Sequence, residues 1–109
     1  MNYNIMRIIV MYDISIEDSS DGLAYLNFRK QLLKNGYIMM QYSIYSKCIN
    51  TKTKLSLEIK KISKKVPIKS KIRIFIVTEK QYGDMIYLNG GESLNEEING
   101  TERFICIED

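Results

Sequence analysis

Residues 6–15, MRIIVMYDIS, constrain this chain more than any other segment, because an unbroken Met, Ile and Val run there ends on a carboxylate, Asp13. The near absence of polar alternation predicts a strand over 6–13 that is central in a sheet or covered on both faces. A carboxylate at the end of a core strand is placed where a metal ion or a nucleic-acid phosphate is met. An aspartate there also starts turns and caps helices, and the residues alone leave both readings open.

A chain of 109 residues suffices for one domain with a single core, read here as residues 1–109, and oligomerisation is a natural way for it to bury more surface. The hydrophobic fraction of 45% and charged fraction of 27% are those of a soluble globular protein. No apolar run approaches the length of a bilayer span, and the first ten residues lack the features of a secretory signal. A cytoplasmic location with no membrane partner is expected. In that compartment Cys48 and Cys106 read as small buried hydrophobes rather than as a disulfide or zinc ligands. The chain contains no histidine, which excludes His-based acid/base chemistry and Ser-His-Asp hydrolysis.

The net charge of +3 conceals a segregation of signs. Over residues 47–73 the basic residues Lys47, Lys52, Lys54, Lys60, Lys61, Lys64, Lys65, Lys69, Lys71 and Arg73 face a single acid, Glu58. From residue 79 onward the balance reverses, with Glu79, Asp84, Glu92, Glu96, Glu97, Glu102, Glu108 and Asp109 against Lys80 and Arg103. A basic central segment can hold a polyanion through salt-dependent phosphate contacts, and Lys60, Lys61, Lys64 and Lys65 are its densest cluster. A solvated helix face explains the same pattern equally well. The acidic end is expected to serve a basic partner protein, since it would repel phosphates.

After a polar stretch over 15–21, with Ser19, Ser20 or Asp21 as N-cap, apolar residues at Ala24, Phe28 and Leu32 predict a helix over 23–35 that Gly36 stops. Residues 37–49 are aromatic and β-branched and read as extended structure, broken near Met40 and Gln41 by a turn or bulge. Leu55, Ile59, Ile62 and Val66 predict a second amphipathic helix that Pro67 ends. Residues 71–78 read as a strand whose alternation puts Arg73 on a partner-covered face. Residues 91–100 read as loop, and residues 103–107 as a short extra strand, so that 91–109 form a C-terminal extension for a partner or a second copy. The order strand, helix, strand pair, helix, strand is that of an α+β, ferredoxin-like split βαβ fold: a four-stranded antiparallel sheet with two helices on one face. Its other face would be bare, and a second copy packing sheet to sheet would cover it.

Several of these segments together resemble the CRISPR-associated protein 2 family, in the form found in type II systems. The carriers are MRIIVMYDIS over 6–15, YLNFRKQLL over 25–33 with Gly36 and Tyr37, MQYSIYSK over 40–47, VTEKQ over 77–81 and MIYLNG over 85–90. The resemblance implies a homodimer that bridges dimers of the integrase CRISPR-associated protein 1 and holds double-stranded prespacer DNA for insertion into a CRISPR array. It also implies Mg²⁺-dependent endonuclease activity, on RNA or DNA, with Asp13 as the catalytic and metal-binding carboxylate facing its symmetry mate. Arg29 matches a helix position that is commonly basic, and Ser43 and Tyr45 match a Ser-x-aromatic motif on the following strand.

Mg²⁺ prefers carboxylate and water oxygens, so Asp13 from each of two subunits with waters and a phosphate oxygen makes a sparse site, at which an ion can activate water. Two functional readings follow, an Asp13-dependent phosphodiesterase and a lysine-faced DNA scaffold, and the scaffold is the expected main role. A stand-alone toxin-like metal-dependent ribonuclease is the alternative, since the fold hosts many functions. Arg29 is read either as a phosphate contact or as half of an ion pair with an acid. Tyr42 and Tyr45 are read as base-stacking platforms or, preferably, as dimer packing.

Overall fold

In the computed structural model, which describes residues 5–14, 23–93 and 96, the long apolar run becomes β1 (Met6–Ile14) and lies inside the sheet. It is followed by α1 (Leu23–Lys34), β2 (Ile38–Gln41), β3 (Ile44–Ile49), α2 (Lys52–Ser63), β4 (Ser70–Thr78) and a short α3 (Glu79–Gly83). The sheet order is β2-β3-β1-β4, antiparallel throughout. This is the expected ferredoxin-like arrangement, an α+β sheet with α1 and α2 on one face. The expected N-caps of α1 and the expected strand over 103–107 lie outside the described residues.

Side-chain alternation along β1 divides the sheet into two chemistries. Ile8, Val10, Tyr12 and Ile14 point to the helices and form the core with Phe28 and Leu32 of α1, Ile62 of α2, and Tyr37, Tyr45 and Ile49. Arg7, Ile9, Met11 and Asp13 therefore face the other way. β4 follows the same rule, with Ile72, Ile74 and Ile76 half-buried under the helices and Lys71, Arg73 and Phe75 exposed between them.

Helix ends form where the sequence provides for them. Gly36 adopts φ +91°, and Tyr37 N donates to Leu32 O at 3.0 Å while Gly36 N donates to Leu33 O at 3.1 Å, the paired bonds of a Schellman stop. At α2, Thr51 Oγ1 accepts from Lys54 N at 3.0 Å, and the helix closes before Pro67. The break expected near Met40 is a bulge between Met39 and Gln41, followed by a turn in which Ser43 holds φ +62°.

Three expectations are corrected. The apolar stripe of α2 is rotated: Ile59 and Val66 are exposed and Glu58 is buried instead, because its carboxylate accepts from Tyr37 Oη and Lys47 Nζ, both at 3.0 Å. The open sheet face is not wholly bare, since α3 lies over part of it and Arg7, Ile9 and Ser46 are buried there. Ser93 Oγ donates to Met39 O on β2 at 2.9 Å, and Glu96 is buried against Ser93 and Tyr82; these two residues of the acidic extension bond to their own domain. Cys48 is disulfide-bonded rather than a free thiol; a prior drawn from the compartment says nothing about which sulfurs a fold brings together. Cys106 lies outside the described residues.

Phe28 is almost fully buried and meets the Tyr12 ring edge-on at 4.9 Å. Phe28→Ala should destabilise the fold by about 3–5 kcal/mol. Denaturant unfolding should show this as a lower midpoint with an unchanged slope.

Candidate nucleic-acid and metal site

Asp13 stands near the end of β1, exposed, on the face away from α1 and α2. Across the β1/β4 ladder it is paired in register with Lys71, and Met11 is paired with Arg73. One carboxylate thus shares its sheet face with two cations and with Phe75, which is 44% exposed. Among the described residues no three His, Cys, Asp or Glu side chains come together as a metal cluster. Glu17, Asp18 and Asp21 lie outside the described residues. A single exposed carboxylate suits a divalent ion that keeps most of its water, with further oxygens supplied from outside the chain.

Arg29, Ser43 and Tyr45 converge, but on the helix side of the sheet. Arg29 Nε donates to Tyr45 Oη at 2.9 Å, a bond that raises the pKa of a guanidinium already cationic throughout the accessible range. Among the described residues Arg29 is therefore paired with a phenol and not with an acid. It remains exposed.

Tyr45 is 1% exposed, stacked on Tyr12 with centroids 5.9 Å apart. It is a core residue of its own subunit, neither a base-stacking platform nor dimer packing, because β3 directs it beneath α1. Tyr42, in the adjoining turn, is exposed. Ser43 lies in that turn rather than on the strand, with Oγ 3.5 Å from Tyr25 Oη. The Tyr12 hydroxyl is buried without a hydrogen bond among the described residues, and burial, followed by its tyrosine neighbours, pushes its pKa far above the ordinary value.

Lys60, Lys61, Lys64 and Lys65 are exposed along the last turns of α2 and just beyond it. Helical spacing groups Lys60 with Lys64 and Lys61 with Lys65, and Lys61 Nζ lies 3.7 Å from Glu58 Oε2. Since α2 covers the opposite sheet face, the lysine cluster and Asp13 are on different sides of the molecule.

Two groups escaped the sequence reading as site residues. Lys71 and Arg73 flank Asp13, and the alternation in KIRIF, residues 71–75, was the available signal. The second is a polar network on the open face. Arg7 donates from Nε to Glu79 Oε1 at 2.8 Å, from Nη2 to Glu79 Oε2 at 3.3 Å and from Nη1 to Ser46 Oγ at 3.2 Å. Its guanidinium lies 4.0 Å from the centroid of the Tyr82 ring, and Tyr82 Oη donates to Glu96. No local signal joins Arg7 to Glu79.

Residues 6–85 match the model of the family described as CRISPR associated protein Cas2. A protein of Ligilactobacillus salivarius named CRISPR-associated endoribonuclease Cas2 is 39% identical over 103 residues, covering 94% of this chain and 100% of the relative. Proteins of the same name from Streptococcus mutans and Treponema denticola are 41% and 37% identical, covering 78% and 94% of this chain and 78% and 100% of their own lengths. A solved structure titled "Crystal structure of cas2" superposes with a TM-score of 0.58 at 20% identity, over 83% of this chain and 92% of that one; this likeness bears on the fold.

Glu79→Ala leaves the buried Arg7 cation uncompensated and should cost about 3–5 kcal/mol in denaturant unfolding. Tyr12→Phe should be neutral or stabilising near pH 7, since it removes a buried hydroxyl that makes no hydrogen bond among the described residues and whose burial costs about 1–3 kcal/mol. The folded pKa of Tyr12 is raised above its unfolded value of 10.0. The stability linked to its proton is therefore complete below pH 10.0 and lost as pH rises toward the folded value. Unfolding of Tyr12→Phe measured above pH 10.0 should show a weaker alkaline loss than the parent protein.

Proposed function

The chain belongs to the CRISPR-associated protein Cas2 family, and from that premise we propose that it is a spacer-acquisition subunit. In this reading a homodimer bridges dimers of the CRISPR-associated protein 1 integrase and holds double-stranded prespacer DNA. Phosphodiester cleavage at Asp13 is a secondary capacity. The observation that carries the proposal is the separation of the two faces: the lysines of α2 lie on the helix layer, while Asp13, Met11 and the exposed Phe75 lie on the sheet face opposite.

Packing two such sheet faces together buries Phe75 and leaves both helix layers turned outward, where Lys60, Lys61, Lys64, Lys65 and Arg29 meet duplex phosphates. In the same dimer Asp13 of each copy would hold one Mg²⁺. When bound, such an ion would supply charge neutralisation at the phosphate and activation of a water. The chain's own part is to present Asp13 as an oxygen ligand and to hold a phosphodiester beside it through Lys71 and Arg73. The name endoribonuclease carried by the relatives supports retaining this activity in the reading.

The experiment is spacer integration in a mixture of this protein, its integrase, Mg²⁺ and a short duplex. Asp13→Ala should integrate within a few-fold of the parent protein, while any RNA cleavage disappears. Lost integration by a variant that still dimerises and binds the integrase would place metal chemistry inside the reaction instead. Reversing Lys60, Lys61, Lys64 and Lys65 to Glu should weaken duplex binding and flatten its salt dependence by about 0.9 in log–log slope for each phosphate no longer neutralised. Unchanged binding would exclude that face.

A further inference from the structure

The end of α1, β3 and one side of α2 from Lys54 to Lys61 border a cavity of about 360 Å³. Its charged lining is Lys34, Lys47, Lys54 and Lys61 against one carboxylate, Glu58. We propose that this cavity is a binding site for a small phosphate-rich anion of the inorganic or nucleoside polyphosphate class, distant from Asp13 and sharing only Lys61 with the duplex-binding face.

The site is built before any ligand arrives. Glu58 is buried and its acceptors are already committed to Tyr37 Oη and Lys47 Nζ, both at 3.0 Å, with Lys61 Nζ at 3.7 Å. One carboxylate cannot neutralise four ammonium groups, so the cavity keeps a net charge of +3. Lys47 is held rather than floating: its ammonium lies 5.7 Å from the centroid of the Tyr37 ring, and its stem passes over Gly36, where a Cβ would stand 3.6 Å from Lys47 Cε. A fixed cation loses little rotamer entropy when an anion binds.

Lys34 and Lys54 make no ion pair among the described residues. Lys54 stands in the first turn of α2, where no acidic residue is present. Cations at this positive end of the helix dipole cost stability, and a bound anion reverses the sign of that contribution. A small polyphosphate suits the concavity, whose volume lies at the lower end of the roughly 300–1,000 Å³ typical of small-molecule sites. A duplex backbone is convex and meets the outer lysines, Lys60 and Lys64, instead.

The test is calorimetric titration of the full-length protein at about 0.15 M ionic strength, where exposed charges more than about 8 Å apart are screened. Inorganic triphosphate and ATP serve as probes, with a short DNA duplex titrated in parallel. Saturable binding of triphosphate at one site per chain is expected. The double variant Lys34→Ala, Lys54→Ala should weaken it about tenfold or more and leave duplex binding within a few-fold. Lys60→Ala with Lys64→Ala should do the reverse. Tighter ATP than triphosphate would assign a nucleoside ligand, and equal affinity an inorganic one; both uphold the site. Non-saturable binding, or equal losses in the two double variants, would reduce the cavity to part of a diffuse basic field and overturn the proposal. Circular dichroism of both variants checks folding, and if Lys34→Ala, Lys54→Ala unfolds, Lys34→Gln, Lys54→Gln is decided by the same criteria.

Discussion

β1 is hydrogen-bonded along both edges, to β3 and to β4, and the register of those two ladders assigns every other residue its side. Because strand side chains alternate with a period of two, a slip by one residue would drive Arg7 and Asp13 into the aromatic core and expel Ile8, Val10 and Tyr12 from it. The desolvation of two charges makes that slip prohibitive, so the apolar core on one face fixes the position of a carboxylate on the other. Asp13 is placed by the side chains it never touches.

Two part-buried ion pairs then decide how much of each face stays available. On the sheet face Arg7 and Glu79 join the first strand to α3 with a bidentate bond, the geometry that suits guanidinium and not ammonium. Tyr82 supplies a ring beneath the cation. On the helix face Lys47 and Glu58 join β3 to α2, and Tyr37 provides both a hydrogen bond to the acid and a ring near the base. Removing charges from water is costly unless their remaining bonding capacity is met, and in both places a tyrosine completes the environment. The result on the sheet face is that α3 covers the Arg7 half and leaves the Asp13 half open.

The architecture was legible because it is written in periodicity: the unbroken apolar run, the i, i+4 spacing of Ala24, Phe28 and Leu32, and Gly36 at a helix stop each act locally. Asp13 was legible for the same reason, as the first charge after an apolar strand. What escaped was non-local. Glu58 looks like one more polar residue of a solvated helix, and only its meeting with Tyr37 and Lys47 makes it a core residue and rotates α2. Tyr45 reads as an aromatic available for contact until β3 turns it under α1, and the partner of Arg7 lies 72 residues away. The lysines of α2 were visible as a charge run, but their division between an outer pair and a cavity-lining set needed the helix axis to be oriented.

Placing a carboxylate and two cations on one open sheet face has a consequence for the proposed dimer. In the proposed sheet-to-sheet dimer two copies of Asp13 would approach one axis, and like charges approaching through excluded water repel strongly. Lys71, opposite Asp13 on the neighbouring strand, supplies a positive charge within the same face, so in the proposed dimer the subunits would close without a metal. A divalent ion at Asp13 would then join a face that already carries the Lys71 and Arg73 cations. On the proposed reading Asp13 would serve assembly first and metal binding second, which is the order expected of a scaffold that has kept a phosphodiesterase site rather than of an enzyme that happens to dimerise.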